Sequence, residues 1–356
     1  MASSNQHQAS ISNALKWIQA VFFVTLILYF GKVLFVPLLF GLLIALITFP
    51  ICKKMEKWGM PRSLSIACLL TSIILLFIAL GWLLGLEINI FLSDFPLISK
   101  RLSELSPDLG KWVEETFHIS PPAQSEWLHK MSLNLDDDVT GFLKGLLNTT
   151  ISTLIMLVMI PIYAALFLYH RETFVRVIAL IVGDKYRGQL EQILHESVIS
   201  YFKFIKGNFY VYSIVAALNC IGLFALGIRN ALLYGILTSF MMVIPYIGIF
   251  VSAAIPVSIA LVTKDSIWYP VGVVLIFVFI QYLESNVIFP WVVGNQLNLS
   301  TWATLVAIIA ATLLWGIAGM VLVSPFLAIL KIITDHVPAM KPLNILLNRS
   351  EGYHAK

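Results

Sequence analysis

Apolar residues in this chain come in long blocks rather than alternating with polar ones. An α-helix rises about 1.5 Å per residue, and a bilayer hydrocarbon core is about 30 Å thick, so roughly 20 apolar residues make one crossing. The first block, residues 14–51, has Lys32 as its one interior charge and would be about 57 Å long as a single helix. It reads as two spans, 14–30 and 33–51, with a tight turn at Gly31-Lys32. Pro37 falls in the first turns of the second span, where a missing N–H costs little. Further blocks of span length cover 64–86, 146–169, 208–228 and 268–289.

Two blocks depart from this pattern. Residues 231–263 would be about 50 Å long as one helix, and Pro245, Gly248 and Pro256 interrupt them. Residues 301–330 repeat the problem, with Gly316, Gly319 and Pro325 as the interruptions. Halves of about 14 residues are the length of re-entrant segments rather than of crossings. Pro245 to Pro256 is the same separation as Leu314 to Pro325, so the two broken stretches are expected to correspond. The expectation is an all-α polytopic membrane protein with about eight hydrophobic segments, six of them spans and two of them re-entrant helical hairpins in an inverted repeat. The alternative is eight plain spans with long helices kinked at Pro and Gly.

The charges set an expected orientation. The short loop after the second span holds Lys53, Lys54, Lys57 and Arg62 against Glu56, which marks it as cytoplasmic by the positive-inside rule. The N-terminus then starts inside, and residues 87–145, with ten acids and five bases, lie outside. Residues 170–206 return inside with six bases and four acids, and the tail 331–356, with four bases and two acids, is also expected inside. The organisation read from these blocks is a three-span N-terminal scaffold (1–86), an extracytoplasmic helical segment (87–145), a fourth span with cytoplasmic helices (146–206), a transport core with both hairpins (207–335) and a cytoplasmic tail (336–356). In the 87–145 segment Ile98, Leu102, Leu105, Leu109, Trp112 and Val113 recur at helical spacing, which fits a helix packed on the membrane part, a neighbouring subunit or a ligand. Residues 171–206 read as two cytoplasmic helices broken at Gly183-Asp184.

Composition agrees with this. The 356 residues are 59% hydrophobic and 12% charged, against about 25% charged in soluble domains, so a soluble globular chain is excluded. A net charge of +4 with no basic stripe gives no nucleic-acid signature. Cys52, Cys68 and Cys220 stand in or beside apolar runs at no metal or disulfide spacing and read as small apolar residues. The apolar run after Lys16 is too long for a signal-peptide core and reads as an uncleaved span.

Polar residues inside apolar blocks are the candidates for chemistry. Glu284 is the acid within the spans of the C-terminal half, and a carboxylate there is costly enough to mark a pathway or a proton relay. Gln281 lies one turn before it, and Ser285, Tyr282 and Asn286 widen the polar strip at helical spacing. Pro290 supplies no N–H, which leaves the carbonyl of Asn286 available to a ligand or another helix. The plainer alternative puts Glu284 near the interface, pairing locally. Arg229 either meets an anionic ligand or snorkels to water. Asn219 either hydrogen-bonds a neighbouring helix or lines a polar path, and Asn295, with Gln296 and Asn298, forms an uncharged polar loop before the last broken stretch. His195-Glu196 opens like a zinc-binding HExxH motif, but position 199 is Ile; with no Walker A sequence and no GxGxxG either, no enzymatic site, metal or cofactor is expected. Coupling should therefore be to an ion gradient or to the solute's own gradient.

Several runs together resemble the autoinducer-2 exporter (AI-2E) family. They are Tyr201-Phe202-Lys203-Phe204-Ile205-Lys206-Gly207-Asn208, then Ile244-Pro245-Tyr246-Ile247-Gly248 followed by Pro256. Glu284-Ser285-Asn286-Val287-Ile288-Phe289-Pro290-Trp291-Val292-Val293-Gly294 and the closing Gly316-Ile317-Ala318-Gly319 with Ser324-Pro325 complete the set. Ile249 stands where the family commonly has a second proline after the glycine. The resemblance covers almost the whole chain. It implies a multi-pass permease of the bacterial plasma membrane, homo-oligomeric, with a small polar solute, a proton or sodium as partner. Some relatives are associated with autoinducer-2 export and others with sodium or lithium exchange for protons. A non-transporting scaffold or sensor acting through 87–145 is the reading from a different class.

Overall fold

A computed structural model of the chain describes residues 15–16, 19–79, 81–83, 85–86, 97, 100, 151–182, 187–243, 247–293 and 299–348. The expectations for Pro245, Asn295, the Gly183-Asp184 break and, Leu97 and Lys100 apart, the 87–145 segment fall outside the described residues. Among the described residues the chain is helical, with one isolated bridge between Leu299 and Asn348 in place of a sheet. Among the described residues five helices are long and apolar enough to cross a membrane, and a sixth crossing is counted if one bent pair is taken as a span. Large apolar side chains such as Leu75, Phe224, Phe250 and Leu313 point outward from these helices, a surface that only lipid or another apolar partner can cover.

The chain divides into two compact units. One comprises residues 1–71, 155–205 and 295–356; the other comprises 72–154 and 206–294.

In the first unit, helix α1 (Gln19–Phe30) is followed after Gly31 by α2 (Lys32–Lys57). The break at Gly31 is where the sequence placed a turn, and it leaves carbonyls at the end of α1 without helical partners. One of them, that of Leu28, accepts the Trp315 indole N–H at 2.9 Å. Helix α3 begins at Arg62 and runs to Leu83. Helix α4 (Ile151–Tyr169) is followed directly by α5 (Arg171–Val182). The two are bent by 71°, measured between Ile155–Tyr169 and Arg171–Ile181. Two ion pairs hold this corner. Arg171 donates to both carboxylate oxygens of Glu56 at 3.0 and 2.6 Å, and Arg62 donates to Glu172 at 3.2 Å and to the Leu168 carbonyl at 3.1 Å. Beneath them Ala45 and Cys52 of α2 pack with Ile66 and Leu70 of α3 and with Ala164 and Leu168 of α4.

The next helix, α6 (Arg187–Ala225), departs from expectation. The second of the two expected cytoplasmic helices does not stop near 206 but continues into the fifth span as one helix of 39 residues. Gly207 does not break it because a side chain there would press on Val293, at 3.1 Å from its Cγ2; the residue is small to admit a neighbour, not to bend the chain.

Both broken stretches fold back on themselves. The first gives α7 (Ala231–Met241) and α8 (Ile247–Thr263), and the second gives α11 (Thr301–Trp315) and α12 (Ile317–His336). Between them lie α9 (Trp268–Leu283), a five-residue π segment (Glu284–Ile288) and the short α10 (Phe289–Val292). In the first hairpin a side chain at Gly248 would strike the Met241 carbonyl, while at the far end Ala231 and Tyr234 share a core cluster with Ile259 and Ala260. Lys264 returns to the end of α6, with its ammonium 3.2 Å from where a Gly227 side chain would stand. A single kinked helix through 231–263 would separate those ends by about 50 Å, so the chain reverses here. In the second hairpin a side chain at Gly319 would strike the Ala311 carbonyl, and at the other end Ala303 packs with Leu327. Gly316 makes the turn with φ +63, ψ −141, a conformation that a side chain disfavours. Pro256 and Pro325, expected as interruptions, lie inside continuous helices. A proline removes one helical hydrogen bond, and transmembrane helices re-satisfy that loss locally without ending. The legs differ in length: 11 and 17 residues in the first hairpin, 15 and 20 in the second, of which α12 alone is long enough for a crossing.

After α12 a 3₁₀ turn (Pro338–Met340) leads into α13 (Lys341–Leu347), whose Leu347 closes a small core with Ala303 and Leu327.

Candidate functional site

Glu284 sits where the helix of α9 changes register. Pro290 has no N–H to give, and the ladder ahead of it does not keep α spacing: Phe289 donates to the carbonyl of Glu284, five residues back. Such π turns recur at functional sites. Here the turn follows directly on Gln281, whose amide Nε2 donates to Glu284 Oε2 at 2.6 Å and reaches Ser285 Oγ at 3.2 Å. Ser285 also donates to Glu284 Oε2, at 3.2 Å. Of the polar strip expected from helical spacing, Gln281, Glu284 and Ser285 therefore form a connected hydrogen-bond network. No lysine or arginine pairs with Glu284 among the described residues. The half-buried carboxylate is solvated by an amide and a hydroxyl and has no counter-charge among the described residues.

Four segments of the second unit converge on this carboxylate around a cavity of about 10 Å³, room for about a single water. Its polar lining is Asn219 of α6, Thr238 of α7, and Gln281 and Glu284; Val215, Ile249 and Phe277 are among its apolar walls. Asn219 is buried, and its Nδ2 donates to the Val215 carbonyl at 3.0 Å. Its Oδ1 is buried with no hydrogen-bond partner among the described residues. A buried acceptor left unmade costs about 1–3 kcal/mol, and such an atom beside a water-sized space points to a water or an ion that bonds to it. Thr238, also buried, donates to the Tyr234 carbonyl at 2.8 Å, which leaves its oxygen able to accept. The set offers oxygens from a carboxylate, an amide and a hydroxyl, the donor set of hard cations and of a relayed proton.

Of the residues singled out from sequence, Glu284, Gln281 and Asn219 are brought together. Asn286 is not at the cavity; it is exposed and its amide donates to the Tyr282 carbonyl at 2.9 Å. Arg229 is exposed in the turn before α7, the position of a snorkelling residue. Gly248 is at the hairpin tip, and the other hairpin glycines and prolines take the places described above. Two polar groups escaped the sequence reading. Thr238 looks like an ordinary polar residue of a short apolar helix until α7 is folded beside α6. Lys331, counted with the tail, is instead buried in α12, where it pairs with Asp335 one turn on, and Asn344 donates to Thr334 at 3.3 Å beside them. Its i,i+4 spacing to Asp335 inside an apolar helix was the available signal.

Crossing-length apolar helices and reversed hairpins define a polytopic helical membrane protein. Residues 18–339 match the family model described as AI-2E family transporter, and the chain belongs to that family. It is similar to the AI-2 transport protein TqsA of Escherichia coli strain K12, at 26% identity over 90% of each chain. The candidate transport protein YrrI of Bacillus subtilis strain 168 is 25% identical over 87% of this chain and 88% of its own length. A candidate transport protein of Haemophilus influenzae is 25% identical over 98% and 99% of the two chains. The family is one of bacterial membrane transporters, and multi-pass insertion in a bacterial membrane follows from it together with the helices.

Proposed function

We propose that this chain is an ion-coupled permease that exports small polar solutes of the autoinducer-2 class by alternating access, and that Glu284 carries the coupling proton or cation. The observation that supports it best is the water-sized cavity in which the unpaired Glu284 carboxylate meets the orphaned oxygen of Asn219. Size separates the roles: about 10 Å³ admits a water, a relayed proton or a bare monovalent cation, not a furanone-sized solute. The cavity is thus the coupling site, and the solute class is carried over from the name of TqsA. In this reading the two hairpins are re-entrant and related as an inverted repeat. The chain ends lie in the cytoplasm, 87–145 lies outside, and the working form is a homo-oligomer.

Purified protein in liposomes tests this. Autoinducer-2 flux should rise with an imposed proton or sodium gradient, and Glu284→Gln should remove that dependence. Equal gradient dependence in the variant refutes the role of Glu284. Sodium or lithium exchange for protons is the second reading, favoured by the carboxylate, amide and hydroxyl oxygens that the polar lining offers; cation-for-proton exchange without autoinducer-2 movement would select it. A scaffold or sensor working through 87–145 predicts no flux of either kind.

A further inference from the structure

At the lysine-rich end of α2 lies a second space, about 430 Å³, wholly within the first unit. That is the size range of ligand pockets. Pro50, Ile51 and Met55 of α2 and Phe202 of α6 give it an apolar wall, Trp58 closes one side, and Lys54 is the charged group in its lining. The Lys54 ammonium lies over the Trp58 ring at 5.2 Å, and Trp58 is itself exposed.

The charge around this groove is not balanced locally. Lys53, Lys54 and Lys57 stand within five residues, and the nearest acid in sequence, Glu56, is taken up by the two-pronged contact with Arg171. Arg62 is likewise committed, to Glu172 and the Leu168 carbonyl. None of the three lysines has an acidic partner among the described residues. The groove also stands where the apolar run of α2 ends, with a tryptophan and lysines just beyond it, the composition of the headgroup boundary.

We infer that this groove is a binding site for one anionic phospholipid, whose acyl chain lies along Pro50, Ile51, Met55 and Phe202 while Lys54 holds the phosphate and Lys53 and Lys57, beside it in sequence, add to the local positive charge. The apolar walls decide among occupants. A soluble anion gains nothing from them, and a neutral polar solute finds among the lining side chains only two donors, the Lys54 ammonium and the Trp58 indole N–H, and no strong acceptor. A lipid uses both halves.

The test uses the full chain, purified and delipidated in neutral detergent, with bound lipids counted by native mass spectrometry. Phosphatidylglycerol should be retained in preference to phosphatidylcholine of the same chains, and high salt should weaken the preference. Each lysine near an anionic headgroup is worth about fivefold in affinity. Lys54→Gln should therefore lower phosphatidylglycerol retention about fivefold and Lys54→Arg should keep it, while Lys341→Gln, at the far end of the sequence, should change nothing. Equal retention of the two lipids by the wild-type chain overturns the proposal without any variant. Unchanged retention in a Lys53→Gln, Lys54→Gln, Lys57→Gln triple variant overturns it as well. Displacement of the lipid by millimolar glycerol 1-phosphate would show a soluble-anion site instead.

Discussion

The second hairpin turns on a contact that only glycine permits at position 319. A methyl group there would lie 2.7 Å from the carbonyl carbon of Ala311, and nearer still to its oxygen. Ordinary carbon–carbon contacts are about 3.5–4.0 Å, so Gly319→Ala requires the legs to part by roughly 1 Å at the tip. The obstructing atoms are backbone, so no side-chain rotation relieves the clash. Overpacking of this kind costs about 1–3 kcal/mol. Gly81, in α3, is an internal control: among the described residues nothing lies within 4 Å of a side chain placed there, and alanine in a helix gains about 0.5–1 kcal/mol over glycine. Purified variants heated in detergent and followed by the monodisperse fraction should show Gly319→Ala inactivating faster than wild type and Gly81→Ala as slowly or slower. A Gly319→Ala protein as durable as wild type would mean that the legs do not approach as described.

Other consequences can be measured separately. Single cysteines at Arg229 and Lys264 should react with a membrane-impermeant reagent from the same side of intact cells, because the chain reverses between them; reaction from opposite sides contradicts the hairpin. Glu56, in the last turn of α2 past the apolar run, has its carboxyl held below its ordinary value of 4.5, first by the Arg171 hydrogen bonds. The stabilisation from this pair is full above that ordinary value and is lost as pH falls through the lower folded value. Glu56→Gln should therefore cost about 1.5–3 kcal/mol at neutral pH and flatten the acid loss of stability below pH 4.5; an acid profile identical to wild type removes the pair from the account. Asn219→Leu puts an apolar group in place of the orphaned oxygen and should uncouple flux from the ion gradient while leaving expression and monodispersity intact; retained coupling would show that Asn219 takes no part.

Much of this architecture could be read from residues alone, and the failures have physical causes. Length against bilayer thickness, taken with the Pro and Gly interruptions, favoured folding back of 231–263 and 301–330 over long kinked crossings, but did not by itself exclude the latter. The Gln281–Glu284–Ser285 network was legible because its members lie on one helix at spacings of one to four residues. Glycine and proline were read too simply as breaks. Gly316 is one, but Gly248 and Gly319 act by admitting a backbone carbonyl, and Pro256 and Pro325 are carried within helices. Thr238 and the pairing of Lys331 with Asp335 were missed for different reasons, the first being out of reach and the second carrying a spacing signal that went unread. The first depends on α7 lying beside α6, a tertiary fact, and the second was hidden by assigning Lys331 to a solvated tail.

Coupling at Glu284 is the centre of the account, and proton movement measures it most directly. Proteoliposomes with a pH-sensitive dye inside and no sodium present would be given an outward autoinducer-2 gradient. Wild-type protein should shift the internal pH as solute leaves, and Glu284→Gln should let solute leave with no pH shift. If sodium is the coupling ion, the pH signal is absent in both, and a sodium indicator should show the same contrast between them. Solute flux accompanied by the same ion movement in wild type and Glu284→Gln would contradict the assignment of Glu284 as the coupling residue.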